Sequence, residues 1–141
     1  VELKSCKNRS ELCEASYNLL KSYHGDYCIE SFDPFIVRWF YLNAPSIVRG
    51  QLSRCPKKLR KELAPLPAFF LGNLLSNFLC RPNFIAYEKE SRSILLSLSY
   101  TLGATKAVWT IRDTDIKRRY ELENSMVIFE FYLPPARYDK E

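Results

Sequence analysis

Glycine is scarce in this sequence, with four residues in a chain of 141. No Gly-x-Gly-x-x-Gly segment occurs, so the chain lacks the loop that cradles phosphate in nucleotide-binding open sheets. Histidine is scarcer still, because His24 is the only one. It lies in the turn-like stretch Tyr23-His24-Gly25-Asp26, where we expect a surface or capping role rather than catalysis. These absences disfavour a nucleotide-binding fold.

The cysteines form an odd set of five and include no Cys-x-x-Cys pair. They are Cys6, Cys13, Cys28, Cys55 and Cys80. Neither a zinc knuckle nor a complete disulfide framework is therefore indicated, and we expect reduced thiols in a cytoplasmic protein. No signal peptide is recognisable.

The sequence also lacks an apolar run long enough to cross a bilayer, which takes about 20 residues. Its longest apolar segment, Leu66 to Leu79, predicts a helix that is apolar on nearly every side. We expect this helix to be buried, and contact with a protein partner or a membrane surface is the alternative.

The chain does contain enough apolar material for a core, because 47% of its residues are hydrophobic and 14% are aromatic. This composition predicts a globular domain. A net charge of +5 weakly favours anionic partners without naming one. A basic cluster in the middle of the chain is predicted to be a solvated charge run, with attraction of an anion as the alternative. It comprises Arg54, Lys57, Lys58, Arg60 and Lys61.

Short runs of β-branched and aromatic residues predict six strands. The strands are Val1 to Lys4, Tyr27 to Phe32, Ile47 to Leu52, Phe84 to Tyr87, Ala107 to Ile111, and Met126 to Phe131. Helical patterns lie between them, which implies parallel strands joined by right-handed crossovers. An open sheet and a barrel both satisfy this alternation, and the scarcity of glycine favours the barrel.

The predicted helices have recognisable ends. The first is capped by Asn8 and stops at Gly25, and the second runs from Pro34 to Asn43 with Asp33 as its cap. Two further helices run from Ser91 to Thr101, closed by Gly103, and from Thr114 to about Glu123. The apolar face of the first helix is predicted to be Leu12, Ala15, Leu19, Leu20 and Tyr23. That of the second is predicted to be Phe35, Ile36, Trp39 and Phe40.

In a parallel barrel, functional residues lie at the carboxyl ends of the strands. Glu2 and Lys4 share one face of the first strand, because residues two apart in a strand point the same way. Glu2 is either a hard-metal ligand or the ion-pair partner of Lys4 or of a residue on a neighbouring strand. Lys4 is a phosphate-binding charge, a Schiff-base nucleophile or the counterion of Glu2. Phe32 and Trp109 either wall a substrate pocket or fill a layer of the barrel.

Five segments, in their order and spacing, resemble the bacterial glycerophosphodiester phosphodiesterase family along essentially the whole chain. They are Val1-Glu2-Leu3-Lys4, Tyr27 to Pro34, Arg49-Gly50-Gln51-Leu52-Ser53, Arg81 to Tyr87, and Val108-Trp109-Thr110-Ile111. The resemblance implies an α/β fold, the TIM barrel shared with phosphatidylinositol-specific phospholipases. It also implies hydrolysis of glycerophosphodiesters to glycerol 3-phosphate and an alcohol, assisted by a divalent metal.

Carried over to this chain, the resemblance implies a role for each candidate residue. Glu2 corresponds to a metal carboxylate for Mg²⁺ or Ca²⁺, and Lys4 to the catalytic lysine that steadies the phosphate. Phe32 and Trp109 correspond to residues that line the glycerol side of the pocket. The implied partner is a small glycerophosphodiester and not nucleic acid. A peripheral membrane contact and association into a homo-oligomer are further expectations.

The chain departs from the family in lacking its upstream His-Arg segment, its Glu-x-Asp strand and its His-Asp segment. We therefore expect residues 1–141 to be the C-terminal portion of one barrel domain, an incomplete TIM barrel with about six of the eight parallel strands and the N-terminal strands missing. By itself this portion is expected to be inactive. Its open edges are expected to be covered by upstream chain, by a second copy or by the segment Leu66 to Leu79.

Two other functions are compatible with the residues. The first is a non-enzymatic relative that binds anionic lipid headgroups or a protein partner through the segment Leu66 to Leu79 and the basic stretch before it. The second is an aldolase that forms a Schiff base at Lys4.

Overall fold

The computed structural model describes residues 1–89, 91, 93–123 and 125–133. Helices and strands alternate through most of this part of the chain. In chain order they are α1 (Arg9–Leu20), β1 (Ile29–Ser31), α2 (Pro34–Asn43), β2 (Arg49–Ser53), α3 (Pro56–Leu59), α4 (Pro65–Gly72), α5 (Asn77–Cys80), β3 (Phe84–Glu88), α6 (Ile94–Thr101), β4 (Thr105–Ile111), α7 (Thr114–Leu122) and β5 (Met126–Phe129).

The strands form one curled sheet in the order β1-β2-β3-β4-β5, and every neighbouring pair is parallel. This order confirms the predicted incomplete α/β barrel. The first predicted strand, Val1 to Lys4, is shorter than expected, because only the isolated parallel bridge between Glu2 and Glu30 joins it to β1. Two hydrogen bonds of 2.9 Å hold it there, from the Leu3 amide to the Glu30 carbonyl and from the Glu30 amide to the Val1 carbonyl.

The two faces of the sheet bury different clusters. The inner face carries an apolar cluster of Leu52, Phe84, Ala86 and Ala107. The outer face is covered by helices, and there Ile29 packs with Ile36 and Phe40 of α2, while Ile85 and Tyr87 pack with Leu96 of α6. Every residue of β2 is buried, as expected for a parallel strand that is covered on both faces.

Local capping chemistry explains the helices whose bounds agree with prediction. The backbone amide of Phe35 donates to Asp33 Oδ1 at 3.0 Å, which caps α2 at the predicted residue. At the end of α6, Gly103 has a φ of +93° and the Ala104 amide donates to the Ser99 carbonyl at 3.0 Å. This Schellman motif requires a left-handed residue, which glycine adopts without strain. The predicted start of this helix includes position 92, which lies outside the described residues.

The predicted apolar faces of the first two helices are partly wrong. Leu19, Tyr23 and Phe35 are exposed, whereas the fully buried residue of α1 is Cys13. A buried thiol behaves as a small apolar group, so the buried face of α1 is centred on Cys13 and is rotated away from the predicted face that contains Leu19. Asn8 does stand at the N-cap, but its side chain donates to Glu11 Oε2 at 3.0 Å instead of accepting from a backbone amide.

The single helix predicted over Leu66 to Leu79 is also wrong, because the segment divides into α4 and α5. Leu74 has a φ of +61°, and the Leu75 amide donates to the Phe70 carbonyl at 2.9 Å, which ends α4 in a Schellman motif. Burial of the Leu74 side chain compensates for its left-handed backbone. None of the helices in the described part of the chain is long and apolar enough to cross a membrane.

Candidate active site

The two predicted aromatic residues meet at the carboxyl end of the sheet. The ring of Phe32, directly after β1, contacts the ring of Trp109 edge to face, with centroids 5.5 Å apart and planes at 89°. The indole Nε1–H of Trp109 donates to the Ala86 carbonyl at 3.0 Å. Both side chains pack on the inner-face cluster. They therefore form the top layer of the apolar interior and a wall next to the strand ends.

An arginine completes this wall. The Arg54 guanidinium lies over the Phe32 ring, 5.8 Å from its centroid, and forms an ion pair with Glu62. Its buried Nε has no hydrogen-bond partner among the described residues. Sequence reasoning assigned Arg54 to a solvated charge run, but it directly follows the last residue of β2, and that position at a strand end was the available signal.

A second charged contact lies at the end of β3. Glu88, which is in register with Trp109, accepts a charged hydrogen bond from Lys58 at 2.8 Å and one from Ser91 Oγ at 2.7 Å. Burial by itself raises the pKa of Glu88, but the contacts with Lys58 and Ser91 outweigh it and leave the pKa below its usual value. Lys58 is therefore part of the rim rather than of a solvated charge run.

The predicted charged pair lies at the edge of the sheet. Lys4 Nζ and Glu2 Oε1 are 2.6 Å apart, and the Lys4 side chain is 78% exposed. Glu30 is the bridge partner of Glu2, and its side chain is half-buried. Burial raises the pKa of Glu30, and the charge of Glu2 adds to this, while the positive charges of the Val1 amino group and Lys4 lower it in part. Phe32 follows Glu30 by two residues and so points to the same face, about 7 Å further along.

The described residues do not form a complete metal site. No group of three or more His, Cys, Asp or Glu side chains is arranged to hold a metal in the part of the chain that the structure describes. Glu2 and Glu30 are adjacent carboxylates, but hard cations such as Ca²⁺ take about six to eight oxygen ligands. We therefore derive no reaction step through a metal. His24 is exposed in the loop between α1 and β1, as predicted.

Comparison with known proteins identifies two structures with a similar fold. Neither a family model nor a curated protein matches the sequence. Two solved structures do match, each over 91% of this chain. One is a phosphodiesterase of Oleispira antarctica in complex with its product sn-glycerol 3-phosphate, at a TM-score of 0.65 and 17% identity. The other is a glycerophosphodiester phosphodiesterase of Parabacteroides distasonis, at a TM-score of 0.56 and 16% identity.

The chain spans 49% of the first structure and 51% of the second. The described residues thus have the fold of about half of a phosphodiesterase barrel. More particularly, this fold is similar to that of the glycerophosphodiester phosphodiesterases, so the resemblance seen in the sequence is confirmed at the level of fold. Because the sequence identity is low, the comparison supports a shared fold and does not extend to a shared activity.

Proposed function

We propose that this chain forms part of a phosphodiester hydrolase that converts glycerophosphodiesters to glycerol 3-phosphate and an alcohol. The observation that carries the proposal is the placement of Glu2, Lys4, Phe32 and Trp109. They line the carboxyl end and the edge of a sheet whose fold is similar to that of two phosphodiesterases. Active sites of parallel barrels lie at that end. Because the chain spans about half of the compared structures, the activity is proposed for the whole protein.

The aromatic residues are proposed to bind the glycerol side of the substrate. The Trp109 indole N–H is already bonded to the Ala86 carbonyl, so the indole offers its apolar surface rather than a hydrogen bond. The edge-to-face contact with Phe32 holds that surface in place. A fixed apolar wall orients the substrate backbone without adding charge next to the phosphate.

Lys4 is proposed to neutralise an anionic phosphoryl oxygen. Its side chain is largely exposed, and among the described residues its ammonium forms an ion pair with Glu2, so it can reorient toward a phosphate. A positive charge held where negative charge grows lowers the barrier to phosphoryl transfer. A Schiff-base role for Lys4 has no comparable support, because such lysines are desolvated in apolar pockets.

We further propose a requirement for a divalent cation, Mg²⁺ or Ca²⁺, with Glu2 as one of its carboxylate ligands. Such a cation polarises a phosphoryl oxygen when it is bound. Because no group of three or more His, Cys, Asp or Glu side chains is arranged to hold a metal among the described residues, the proposal requires further ligands in addition to Glu2. A cytoplasmic location is part of the same proposal, and the five free cysteines are compatible with it.

The proposal is tested by the release of glycerol 3-phosphate from glycerophosphocholine and glycerophosphoethanolamine, using the protein with its complete barrel. We expect release with Mg²⁺ or Ca²⁺ and its loss on addition of EDTA. Release that persists in EDTA would contradict the metal requirement alone. No release from either substrate with either cation would contradict the hydrolase function.

A further inference from the structure

Helix α4 turns an apolar face toward solvent. Leu66, Phe69 and Phe70 are 67%, 46% and 46% exposed, respectively. They are spaced three and four residues apart, so they share one face of the helix. The rings of Phe69 and Phe70 contact each other edge to face at 6.0 Å. Phenylalanine side chains on a shared exposed face are unusual on a soluble protein surface and indicate a binding surface.

The opposite face of α4 is firmly attached to the barrel. Ala68 and Leu71 pack with Leu59 of α3 and with Phe32. The Ser53 hydroxyl donates to the Leu71 carbonyl at 2.8 Å, and the Tyr87 hydroxyl donates to the Gly72 carbonyl at 2.9 Å. The exposed face is therefore held outward by the fold and is not the result of a loosely placed helix.

Positive charge is concentrated in and directly after α3, the helix that packs on α4. Lys57, Arg60 and Lys61 are exposed in and directly after α3, and no ion pair joins them to another described residue. By contrast, Arg54 and Lys58 in the same stretch pair with Glu62 and Glu88. Three cations without an ion pair to another described residue thus lie in and directly after α3, the helix that packs on α4 and its three exposed apolar side chains. We name these six residues the basic-apolar surface: Lys57, Arg60, Lys61, Leu66, Phe69 and Phe70.

This surface lies on the segment that connects two inner strands, away from the positions where a further strand could pair. Helices α3 and α4 lie between β2 and β3, which are inner strands of the order β1-β2-β3-β4-β5. A further strand can join only beside β5 or beside the Val1–Lys4 segment, because every other strand has two neighbours. The surface also adjoins the candidate active site, since α3 and α4 pack on Phe32.

We propose that the basic-apolar surface docks on an anionic lipid membrane. Leu66, Phe69 and Phe70 enter the boundary between headgroups and acyl chains, and the three cations contact anionic headgroups. Exposed phenylalanine side chains on α4 together with cations on the neighbouring α3 segment match a lipid surface better than an uncharged protein groove. Docking brings the candidate active site close to the membrane, where lipid-derived substrates arise. The inference does not depend on hydrolysis.

The test is co-sedimentation of the protein with vesicles of phosphatidylcholine alone and of phosphatidylcholine with about 30% phosphatidylglycerol. We expect binding to the anionic vesicles only. The triple variant Lys57→Gln, Arg60→Gln and Lys61→Gln is expected to lower the partition coefficient about a hundredfold, since each cation near the surface contributes about a factor of five. The double variant Phe69→Ser and Phe70→Ser is expected to lower it at least about tenfold.

Matched controls come from exposed residues far along the chain. Leu102→Ser removes an exposed leucine from the end of α6, and Lys7→Gln with Arg118→Gln removes exposed cations. These variants are expected to bind like the wild type. Equal binding to neutral vesicles, or binding that survives both test variants in folded protein, would overturn the proposal. Self-association in sedimentation velocity that both test variants abolish would instead assign the surface to a second copy and would also overturn it.

Discussion

Phe32 and Trp109 pack on the buried inner-face cluster, whereas Glu2 and Lys4 lie on a segment that one isolated bridge joins to the sheet. We call the first pair the aromatic side and the second pair the charged side of the candidate site. Packing and a hydrogen bond place the aromatic side. On the charged side, backbone hydrogen bonds and the buried Leu3 hold the segment to β1. The Glu2 and Lys4 side chains themselves are joined only by an exposed ion pair, which stabilises a fold by no more than about 1 kcal/mol. Substitutions on the aromatic side should therefore mainly lower the free energy of unfolding, whereas substitutions on the charged side should mainly lower the rate of hydrolysis.

The largest expected effect is on the charged side. Lys4→Ala should lower kcat for glycerol 3-phosphate release roughly 10²–10³-fold if the proposed function is right, because it would remove the charge proposed to stabilise the transition state. The free energy of unfolding should change by less than about 0.5 kcal/mol, because the side chain is exposed. Kinetics and urea unfolding measure the two quantities. Lys7→Ala, another exposed lysine, is the control, and an equal loss of kcat in both variants would contradict the assigned role of Lys4.

Trp109→Ala is the counterpart on the aromatic side. We expect the free energy of unfolding to fall by about 2–3 kcal/mol, because the variant loses the contact with Phe32 and leaves a cavity. Trp109→Phe keeps most of the apolar volume but leaves the Ala86 carbonyl without its donor, so it should cost about 1 kcal/mol. If both variants unfold at the wild-type urea concentration, the aromatic side is not held by packing.

The sequence predicted the position of the aromatic side better than that of the charged side. Strand propensity places Phe32 and Trp109 near strand ends, so their location on one rim of the sheet followed from local patterns, whereas their contact with each other was not predicted. The length of the pairing of Val1 to Lys4 did not follow, because it depends on neighbours far along the chain. The left-handed conformation of Leu74, which divides the predicted helix, was also hidden, because its compensation comes from tertiary burial rather than from a glycine signal.

A third substitution, Gly50→Ala, tests the packing of the inner-face cluster on which the aromatic side lies. Gly50 lies under the Phe84 ring, and a Cβ at this position would be 2.1 Å from Phe84 Cζ. Gly50→Ala should therefore lower the free energy of unfolding by about 1–3 kcal/mol through overpacking. In the double variant with Phe84→Leu, the ring is absent and the cost of the added methyl should shrink. A double-mutant cycle by urea unfolding measures this coupling, and additive effects would mean that the ring does not set the limit.

The smallest effect is expected from Glu30→Gln, beside the charged side. Burial raises the pKa of Glu30 above its usual value of 4.5 in the folded protein, so folding favours the protonated form. The stability contributed by Glu30 is therefore present below pH 4.5 and is lost as the pH rises through the folded pKa. Glutamine has no charge to lose, so the variant should be slightly more stable than the wild type at pH 7, by less than about 0.5 kcal/mol.

This advantage of Glu30→Gln should vanish as the pH falls below 4.5, where Glu30 is protonated in both the folded and the unfolded chain. Urea unfolding at pH 4 and pH 7 measures the difference. Glu14→Gln, on the exposed part of α1, is the control and should show no such dependence. A wild type that is more stable than Glu30→Gln at pH 7 would mean that the Glu30 carboxylate is favourably paired. In that case the charged side is held more firmly than its single bridge implies.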